Sequence, residues 1–375
     1  MSEPTTPGDK HRSATWLELF FDLVFVVAIA KAAHILQHAH DGHIGAEAYL
    51  KYILIMIPIW WAWTGNTLFA NRFDRDDTLQ KLLSFAQMFC ITLLAANIST
   101  DFDAHYRPFL LSYAAIRFLT VVMYVRISLR SAETRPVSNF LSFAFSIGIL
   151  VSLGSLFFDG PLRYIFLYGG IGLDMILPLI GRRFLKQAPV HAHHLPERFG
   201  LLSIILLGES VLSLSNSFEN LSWTPLSLTM ATGSFIMACS LWWLYFNNMD
   251  RHIMGKKLGT GQSVIYSHLF IYSGLGGIAA MIRFAVLPEL TLIEYKLLSA
   301  FGVLTLMLAL QYLHILYHPK TILKYSLMKA AGFNGLFILL LIAAPSVHFV
   351  LLGTTVFITG YTILDHGRFH QEKKH

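Results

Sequence analysis

The chain has 375 residues, of which 55% are hydrophobic and only 13% are charged, and its mean hydropathy is +0.56. Soluble globular proteins carry about 25% charged residues, so this composition excludes an ordinary soluble protein and indicates a polytopic membrane protein. The net charge is +6. The basic residues are concentrated in the short segments on one side of the membrane, as is typical of membrane proteins, so no nucleic-acid partner is predicted. Cys90 and Cys239 both lie in apolar runs, which excludes a disulfide framework.

Twelve apolar runs are long enough to cross a membrane, because a helix of about 20 apolar residues spans the hydrocarbon core. Helices in soluble cores rarely run so long without a charged face. The runs therefore predict an all-α, polytopic integral membrane protein. The predicted spans are residues 16–37, 50–70, 80–98, 108–129, 138–158, 161–181, 200–218, 226–247, 263–284, 295–316, 326–344 and 346–364.

The lysine and arginine residues of the short connecting segments predict the orientation of the chain. With the N-terminus inside, 20 of the 28 basic residues fall in cytoplasmic segments and five fall on the opposite side. We therefore expect both termini in the cytoplasm.

Two stretches of sequence suggest an internal duplication. Trp60-Trp61 precedes residues 71–75 (Asn-Arg-Phe-Asp-Arg), and Trp242-Trp243 precedes residues 247–251 (Asn-Asn-Met-Asp-Arg). Six helices separate the matched pairs, which predicts parallel repeats about an axis along the membrane normal. The alternative is that cytoplasmic helix ends resemble each other because aromatic residues favour interfaces. The predicted segments are a cytoplasmic tail (1–15), a first six-helix repeat (16–181), a cytoplasmic linker (182–199), a second six-helix repeat (200–365) and a cytoplasmic tail (366–375).

Two carboxylates lie in the first span. Glu18 and Asp22 are spaced i, i+4, which places them on one helix face about 6 Å apart. Two carboxylates so close resist joint ionisation, so one should hold a proton or the pair should share a cation. The pair is therefore a candidate site for a coupling ion. The alternative is a pair at headgroup level that binds a basic residue and only orients the helix.

Three further charged residues are predicted inside spans. Glu209 falls near the middle of the seventh span and Arg117 in the middle of the fourth, so we expect them to be in contact or to share one polar cavity. Such a pair is either a structural ion pair or part of a substrate site. Asp174 follows three glycines in the sixth span, which predicts that it faces the bundle interior. The predicted pathway residues are Glu18, Asp22, Glu209, Arg117 and Asp174.

An acidic motif at the cytoplasmic end of the second span has the composition of a Mg²⁺–diphosphate site. The corresponding stretch of the second half has one carboxylate, Asp250, and basic residues surround the first motif. An ordinary salt-bridged helix end is therefore favoured over a catalytic site. The motif residues are Asn71, Arg72, Asp74, Asp76, Asp77 and, in the second half, Asp250.

A second polar motif, formed by His194, Glu197 and Arg198, is predicted in the loop before the seventh span. None of the 17 histidines has the spacing of a closed zinc site. The stretch around Glu209 and Ser210 lacks the second glycine of a nucleophile elbow. No metal, cofactor or catalytic residue is predicted, and an enzyme is not favoured.

Three strings of sequence, taken together, point to a known family. The first span contains residues 16–26, Trp-Leu-Glu-Leu-Phe-Phe-Asp-Leu-Val-Phe-Val. The Trp-rich stretch 60–63 with the acidic motif 71–77 follows, and then His194 to Gly200 running to Ser210. With these strings the sequence resembles the bacterial low temperature requirement A family over nearly the whole chain. The resemblance implies a multi-pass protein of the bacterial inner membrane and implies no particular activity.

The first span is also similar to that of the two-repeat potassium channels of lysosomes and bacteria. Phe20-Phe21-Asp22 and Ala28-Ile29 stand where those channels carry related residues, although the channels' arginine is missing here. This similarity implies an architecture of six helices per repeat, with spans 1 and 7 lining the pathway. It does not imply potassium selectivity.

We therefore expect a two-repeat membrane protein that moves an ion or a small solute. The alternatives are a passive ion channel, a membrane enzyme acting on a lipid-linked substrate at Asp74–Asp77, and a sensor or scaffold that transports nothing. The expected partners are the lipid bilayer and an unidentified solute. The choice between a monomer and a homodimer stays open.

Overall fold

The computed structural model describes residues 12–73, 76–218, 224–317 and 323–372, with the backbone alone at residues 218 and 365–372. Over these residues the chain forms helices and no β-strand. The helices are α1 (Trp16–His34), α2 (Ala46–Phe73), α3 (Thr78–Ala96), α4 (Phe102–Arg130), α5 (Arg135–Gly154), α6 (Pro161–Ile180), α7 (Arg182–Leu185), α8 (His194–Phe218), α9 (Pro225–His252), α10 (Gln262–Val286), α11 (Leu292–Tyr317), α12 (Leu323–Ala343) and α13 (Val347–Glu372).

The predicted fold class is confirmed. Twelve helices in the described part of the chain are long and apolar enough to span a membrane, and the short α7 is not among them. Many of their large apolar side chains are exposed, as expected where lipid tails replace water as the solvent. The molecule is therefore an all-α polytopic membrane protein.

One predicted boundary is wrong in a way that matters for the site. The segment 182–199, expected to be a cytoplasmic linker, contains α7 and the first turns of α8, which begins at His194 rather than at residue 200. Arg198, which had counted among the cytoplasmic basic residues, is 0% exposed in the second turn of α8. Polar residues enter the helix here because they have buried partners, described below.

Helix α10 lies at the centre of the bundle and is buried along nearly its whole length. Its packing against α11 depends on glycines. A Cβ atom on Gly274 would lie 2.8 Å from the carbonyl oxygen of Gly302, and one on Gly277 would lie 3.0 Å from the Gly302 Cα atom. Small residues let two membrane helices approach closely, so these glycines bring the α10 and α11 backbones into contact.

Helices α1 and α8 run parallel and side by side. Three contacts join them along their length: Glu18 with His194, Asp22 with Arg198, and Gln37, just after α1, with Ser213. In each contact the two residues are 176 positions apart. The constant separation means that the two helices keep one register from the first contact to the last.

Much of the packing order of the helices recurs in the two halves, although α9 packs extensively against α13 while the corresponding helices α2 and α6 make only minor contact. Helix α1 contacts α2 and α3, as α8 contacts α9 and α10; the pairs α3–α4, α4–α5 and α5–α6 recur as α10–α11, α11–α12 and α12–α13. The duplication and the orientation of the termini nevertheless stay predictions, because a shared contact order establishes neither a superposition nor a side of the membrane.

Candidate functional site: a buried charge network between α1 and α8

The first turn of α1 holds Glu18 in place. Thr15 caps the helix: its hydroxyl accepts from the Glu18 backbone N–H at 3.3 Å, and Glu18 Oε2 accepts from the Thr15 backbone N–H at 2.8 Å. This reciprocal capping box satisfies two backbone donors. The Glu18 Oε1 atom, on the other side of the carboxylate, lies 3.0 Å from Arg198 Nη1 and 3.2 Å from His194 Nε2.

Asp22, one turn further along α1, forms a two-pronged ion pair with the same arginine. Arg198 donates from Nη2 to Asp22 Oδ1 at 2.6 Å and from Nε to Oδ2 at 3.2 Å. Trp63 of α2 donates its indole N–H to Asp22 Oδ1 at 2.7 Å. Bidentate guanidinium–carboxylate pairs are among the strongest hydrogen-bonded contacts in proteins. Both carboxylates therefore bind one basic residue, Arg198, as the alternative interpretation of the pair expected. Their role as a site for a coupling ion stays a prediction.

A chain of hydrogen bonds fixes the protonation of His194. The His191 backbone N–H donates to Asn71 Oδ1 at 3.0 Å, so the Asn71 amide nitrogen is directed at His194 Nδ1, 3.0 Å away. That nitrogen must accept, and the proton of the imidazole therefore lies on Nε2, which donates toward Glu18. In this arrangement His194 is neutral.

The network is enclosed but not completely sealed. Asp22, His194 and Arg198 are 0% exposed, whereas Glu18 keeps 6% of its surface exposed. Arg12, from the segment before α1, lies 3.4 Å from Glu18 Oε1. With His194 neutral, the two carboxylates are balanced by the guanidinium groups of Arg198 and Arg12. A crevice lies beside Glu18 and is lined by Arg12, Glu18, Asn66, Asp76 and Gln80 among others.

Aromatic rings cover the network on the side of α2 and α10. The Arg198 guanidinium lies 5.9 Å from the centre of the Trp63 ring, within the range of a cation–π contact. Phe199 packs edge-on against Trp63 at 4.8 Å, and the Tyr272 hydroxyl donates to the Phe199 carbonyl oxygen at 2.9 Å. These rings exclude water, which strengthens the electrostatic contacts inside.

The structure pairs Arg117 with Asp174 rather than with Glu209. Arg117 Nε donates to Asp174 Oδ2 at 2.9 Å, and both side chains are buried. The expectation of an Arg117–Glu209 contact is therefore wrong, while the expectation that Asp174 faces the bundle interior is confirmed. Glycines make room for this pair: a Cβ atom on Gly65 would lie 2.5 Å from Arg117 Nη1, and one on Gly148 would lie 2.5 Å from Asp174 Cγ.

Glu209 lies alone and further along its helix than predicted. It is 6% exposed and has no hydrogen-bond or ion-pair partner among the residues that the structure describes. Because α8 begins at His194, Glu209 lies about 22 Å from the start of the helix at 1.5 Å per residue. It therefore falls in the second half of the span rather than near the middle.

The acidic motif is divided between two structural roles. Asp77 caps α3 by accepting from the Gln80 backbone N–H at 2.9 Å and also binds Arg126, whose hydrogen bond lowers the pKa of the Asp77 carboxyl. Asp76 pairs with Lys81 at 3.0 Å. These contacts agree with a salt-bridged helix end rather than with a metal-binding site.

The other residues of the motif lie elsewhere. Asn71 belongs to the charge network, and Arg72 donates to the Ala188 carbonyl oxygen at 3.1 Å. Asp250 is exposed near the end of α9. Asp74 lies outside the described residues.

The motif predicted to form a loop is helical and belongs to the site. His194 and Arg198 contact Glu18 and Asp22 from the first turns of α8, and Glu197 accepts from the Ala14 backbone N–H at 3.3 Å. Spacing is the signal that could have revealed this. His194 and Arg198 are four residues apart, like the two carboxylates of α1, so the two pairs match on facing helices.

Sequence reasoning also missed that Trp63 and Asn71, two neutral residues, contact the network. Both residues lie on α2. The inner face of this helix has no pattern of charged residues that would indicate a functional site.

The fold and the network define a polytopic helical membrane protein with buried ionised groups between two of its spans. Residues 13–364 match the family described as bacterial low temperature requirement A protein (LtrA). The chain belongs to this family. It is also similar to an uncharacterized protein of Rhizobium meliloti (strain 1021), with 27% identity over 296 residues that cover 74% of this chain and 69% of the relative.

Proposed function

We propose that this protein moves an ion or a small solute across the bacterial inner membrane along the interface of α1 and α8. One observation carries the proposal: two carboxylates and an arginine, nearly or fully buried, meet between two parallel spans. Charged groups inside membrane spans are costly, and they commonly mark ion or substrate pathways.

The contacts of Arg198 support a coupling between the binding of an ion and the movement of α1 relative to α8. Removing one partner from a buried ion pair costs about 3–5 kcal/mol, because the other charge is left uncompensated. Separation of α1 from α8 therefore requires a substitute partner for Glu18 and Asp22, or for Arg198. An ion or a charged solute that enters from the crevice beside Glu18 supplies that partner, so its binding and the helix movement are coupled.

The alternatives receive less support. The enzyme hypothesis needs free carboxylates at the acidic motif, but Lys81 and Arg126 bind Asp76 and Asp77. A passive channel needs a continuous wet pathway, and the described residues close the α1–α8 interface with the charge network. We therefore favour a transporter that alternates between states.

Flux through liposomes tests the proposal. Purified protein is reconstituted, and the uptake of a panel of monovalent ions, divalent ions and small metabolites is measured. Asp22→Asn and Arg198→Gln should each lower the flux of the transported species by at least about tenfold, since both break a buried pair. Glu289→Gln is the matched control, because its carboxylate pairs with Arg283 on the exposed surface and exposed pairs contribute little.

Wild-type protein that moves no member of the panel, in folded and correctly inserted form, would contradict transport. Equal flux in Asp22→Asn and Glu289→Gln would contradict a pathway at α1–α8.

The proposed orientation has its own test. Reporter fusions after residues 190 and 255 should lie in the cytoplasm, and those after residues 100 and 290 should lie outside. Opposite signals at two or more of these positions would contradict the proposed topology with both termini in the cytoplasm.

A further inference from the structure

Glu209 is a buried carboxyl group that the charge network does not use. It is 6% exposed, and none of the residues that the structure describes gives it a hydrogen bond or an opposite charge. Ser213 follows four residues later and therefore lies on the same face of α8. This serine accepts a hydrogen bond from Gln37 at 3.4 Å, so Glu209 lies on the face of α8 that meets the end of α1.

The neighbouring helices α1 and α10 offer no counter-ion at this level. The register of the α1–α8 contacts places Ala33 beside Glu209, and Lys31 and His34, the titratable groups nearby, are exposed on another face of α1. Helix α10 has no titratable side chain between residues 274 and 282, and the next one, Arg283, pairs with Glu289 at 3.1 Å.

The same holds for α2 and α9, the other helices packed against α8. On α2, Glu47 and Lys51 pair with each other at 2.7 Å, and the Tyr52 hydroxyl donates to the Ser273 carbonyl oxygen at 2.9 Å. On α9, Cys239 is the titratable side chain between residues 230 and 244, and it is exposed. No cation on a neighbouring helix is therefore placed to balance a charge on Glu209.

An ionised carboxylate in this position is expensive. Taking an ionised carboxylate out of water carries a large desolvation cost, and no partner on the neighbouring helices offsets that cost here. Uptake of a proton removes the charge. We propose that Glu209 is a proton-binding site, neutral in this conformation and ionised when the helices around it move and admit water.

The position of Glu209 links this site to the proposed transport function. Arg198 and Glu209 are eleven residues apart on α8, which corresponds to about 16 Å of helix. The side chains of α1 and α8 that are buried over this length are mainly apolar, among them Phe25, Ile29, Leu202 and Leu206, and Ser203 is bonded to its own helix. Glu209 and the charge network thus lie on opposite sides of an apolar layer. The inference rests on transport along α1–α8 and assigns the proton as the coupling ion.

Labelling with dicyclohexylcarbodiimide tests proton binding without any transport assay. This apolar reagent reacts with protonated carboxyl groups: the O–H adds across one C=N bond, and the acyl group then migrates to nitrogen to give a stable N-acylurea. Full-length protein in liposomes is labelled from about pH 6 to about pH 9 and mapped by mass spectrometry. We expect an adduct on Glu209 that declines as the pH rises and is lost in Glu209→Gln.

Two internal controls make the result specific. Asp22 and Asp174 are buried like Glu209, but each is bound to an arginine that favours its ionised form, so both should be labelled less than Glu209 at each pH. Denatured protein treated at low pH shows that all three peptides are detectable. Absence of the Glu209 adduct in the folded protein, or equal labelling of the three carboxylates, would overturn the proposal.

A flux measurement then separates proton coupling from transport itself. An imposed pH gradient should drive uptake through the wild type and should lose its effect in Glu209→Gln. Wild-type uptake that ignores the gradient would contradict the proton as coupling ion while leaving transport in place. Wild-type protein without any flux would contradict the proposed function, and the labelling result would still decide whether Glu209 binds a proton.

Discussion

The two buried ion pairs of this molecule differ in what surrounds them. The Arg198 pair lies between α1 and α8, and hydrogen bonds from other side chains, among them Trp63 and His194, support its carboxylates. The Arg117–Asp174 pair lies within the first half of the chain, where Phe145 lies 4.3 Å from the guanidinium and glycines adjoin both charged groups. One pair has exchangeable polar partners, and the other is enclosed by ring and backbone atoms.

This difference indicates different roles. Hydrogen bonds between side chains can be replaced by bonds to an entering ion or to water, so a network of this kind can exchange its partners as α1 and α8 separate. A pair wedged against glycines can separate only if whole helices move apart. We infer that the Arg117–Asp174 pair fixes the packing of α4 and α6, while the Arg198 network is the part that changes during transport.

The largest effect should come from filling the space beside Asp174. In Gly148→Ala the new Cβ atom would overlap the Asp174 carboxylate and lie 2.8 Å from the Gly170 carbonyl oxygen. Overpacking costs about 1–3 kcal/mol, and displacing a buried pair costs about 3–5 kcal/mol more. We expect a severe loss of monodisperse protein and of thermal stability.

Gly172→Ala is the matched control, because no atom lies within 4 Å of a Cβ at that position. Equal thermal midpoints for the two alanine variants would show that the Arg117–Asp174 pair is not enclosed as described.

The next effect compares single with double substitutions in the two pairs. Arg117→Gln alone should destabilise the protein by about 3–5 kcal/mol, and Arg117→Gln with Asp174→Asn should recover much of this, because no buried charge remains. Arg198→Gln with Asp22→Asn should likewise be more stable than Arg198→Gln, but its flux should stay low. Thermal unfolding and liposome flux are measured on all four variants.

Recovery of flux in the Arg198–Asp22 double variant would show that this network, too, is only structural. Loss of flux with full stability in the Arg117–Asp174 double variant would mean that this pair takes part in transport, which contradicts the structural role inferred for it.

The sequence predicted the spans and the paired carboxylates of α1 because both depend on local properties. A run of apolar residues is visible in any window, and the spacing of Glu18 and Asp22 determines that they share a face. Their partner was hidden for a physical reason. In the sequence, an arginine near the end of a span looks the same whether it lies in a loop or in a buried helical turn. Counting basic residues therefore placed Arg198 in the cytoplasm.

The partner of Arg117 was missed for a different reason. Several carboxylates lie at a depth in the membrane that is compatible with that of Arg117. Depth alone does not determine which helices are neighbours. In the structure α5 packs between α4 and α6, and Gly148 of α5 leaves room for Asp174 to reach Arg117. Such lateral contacts arise from packing over the whole bundle, and no local pattern encodes them.

A smaller effect is expected from the charge state of His194. Asn71→Asp keeps the oxygen that accepts from the His191 N–H and places a carboxylate beside His194 Nδ1. A carboxylate there favours the doubly protonated imidazolium, which places a positive charge beside Glu18 and a negative charge at residue 71. We expect the dependence of flux on pH to shift while the thermal midpoint changes little.

The control for this change is Asn97→Asp, which alters an amide beside another histidine, His105, at the end of α3. Identical pH profiles for Asn71→Asp and the wild type would mean that the hydrogen-bond chain through Asn71 does not set the charge of the network.

The smallest effect should come from the acidic motif outside the membrane spans. The hydrogen bond from Arg126 lowers the pKa of Asp77 below its ordinary value of 3.8. A carboxyl group with a lowered pKa in the folded state stabilises the fold above its ordinary pKa, and this contribution is lost as the pH falls through the lowered value. Asp77→Asn keeps an equally good helix cap but removes the charge.

The thermal midpoint of Asp77→Asn should therefore lie slightly below that of the wild type at neutral pH, and the difference should shrink as the solution is acidified below pH 3.8. Flux should be unchanged, because the carboxylate of Asp77 binds Arg126 of α4 at the start of α3 rather than the charge network. Asp159→Asn, an exposed carboxylate in the α5–α6 connection, should show no such dependence on pH. A loss of flux in Asp77→Asn that added Mg²⁺ modifies would instead revive the enzyme hypothesis for this motif.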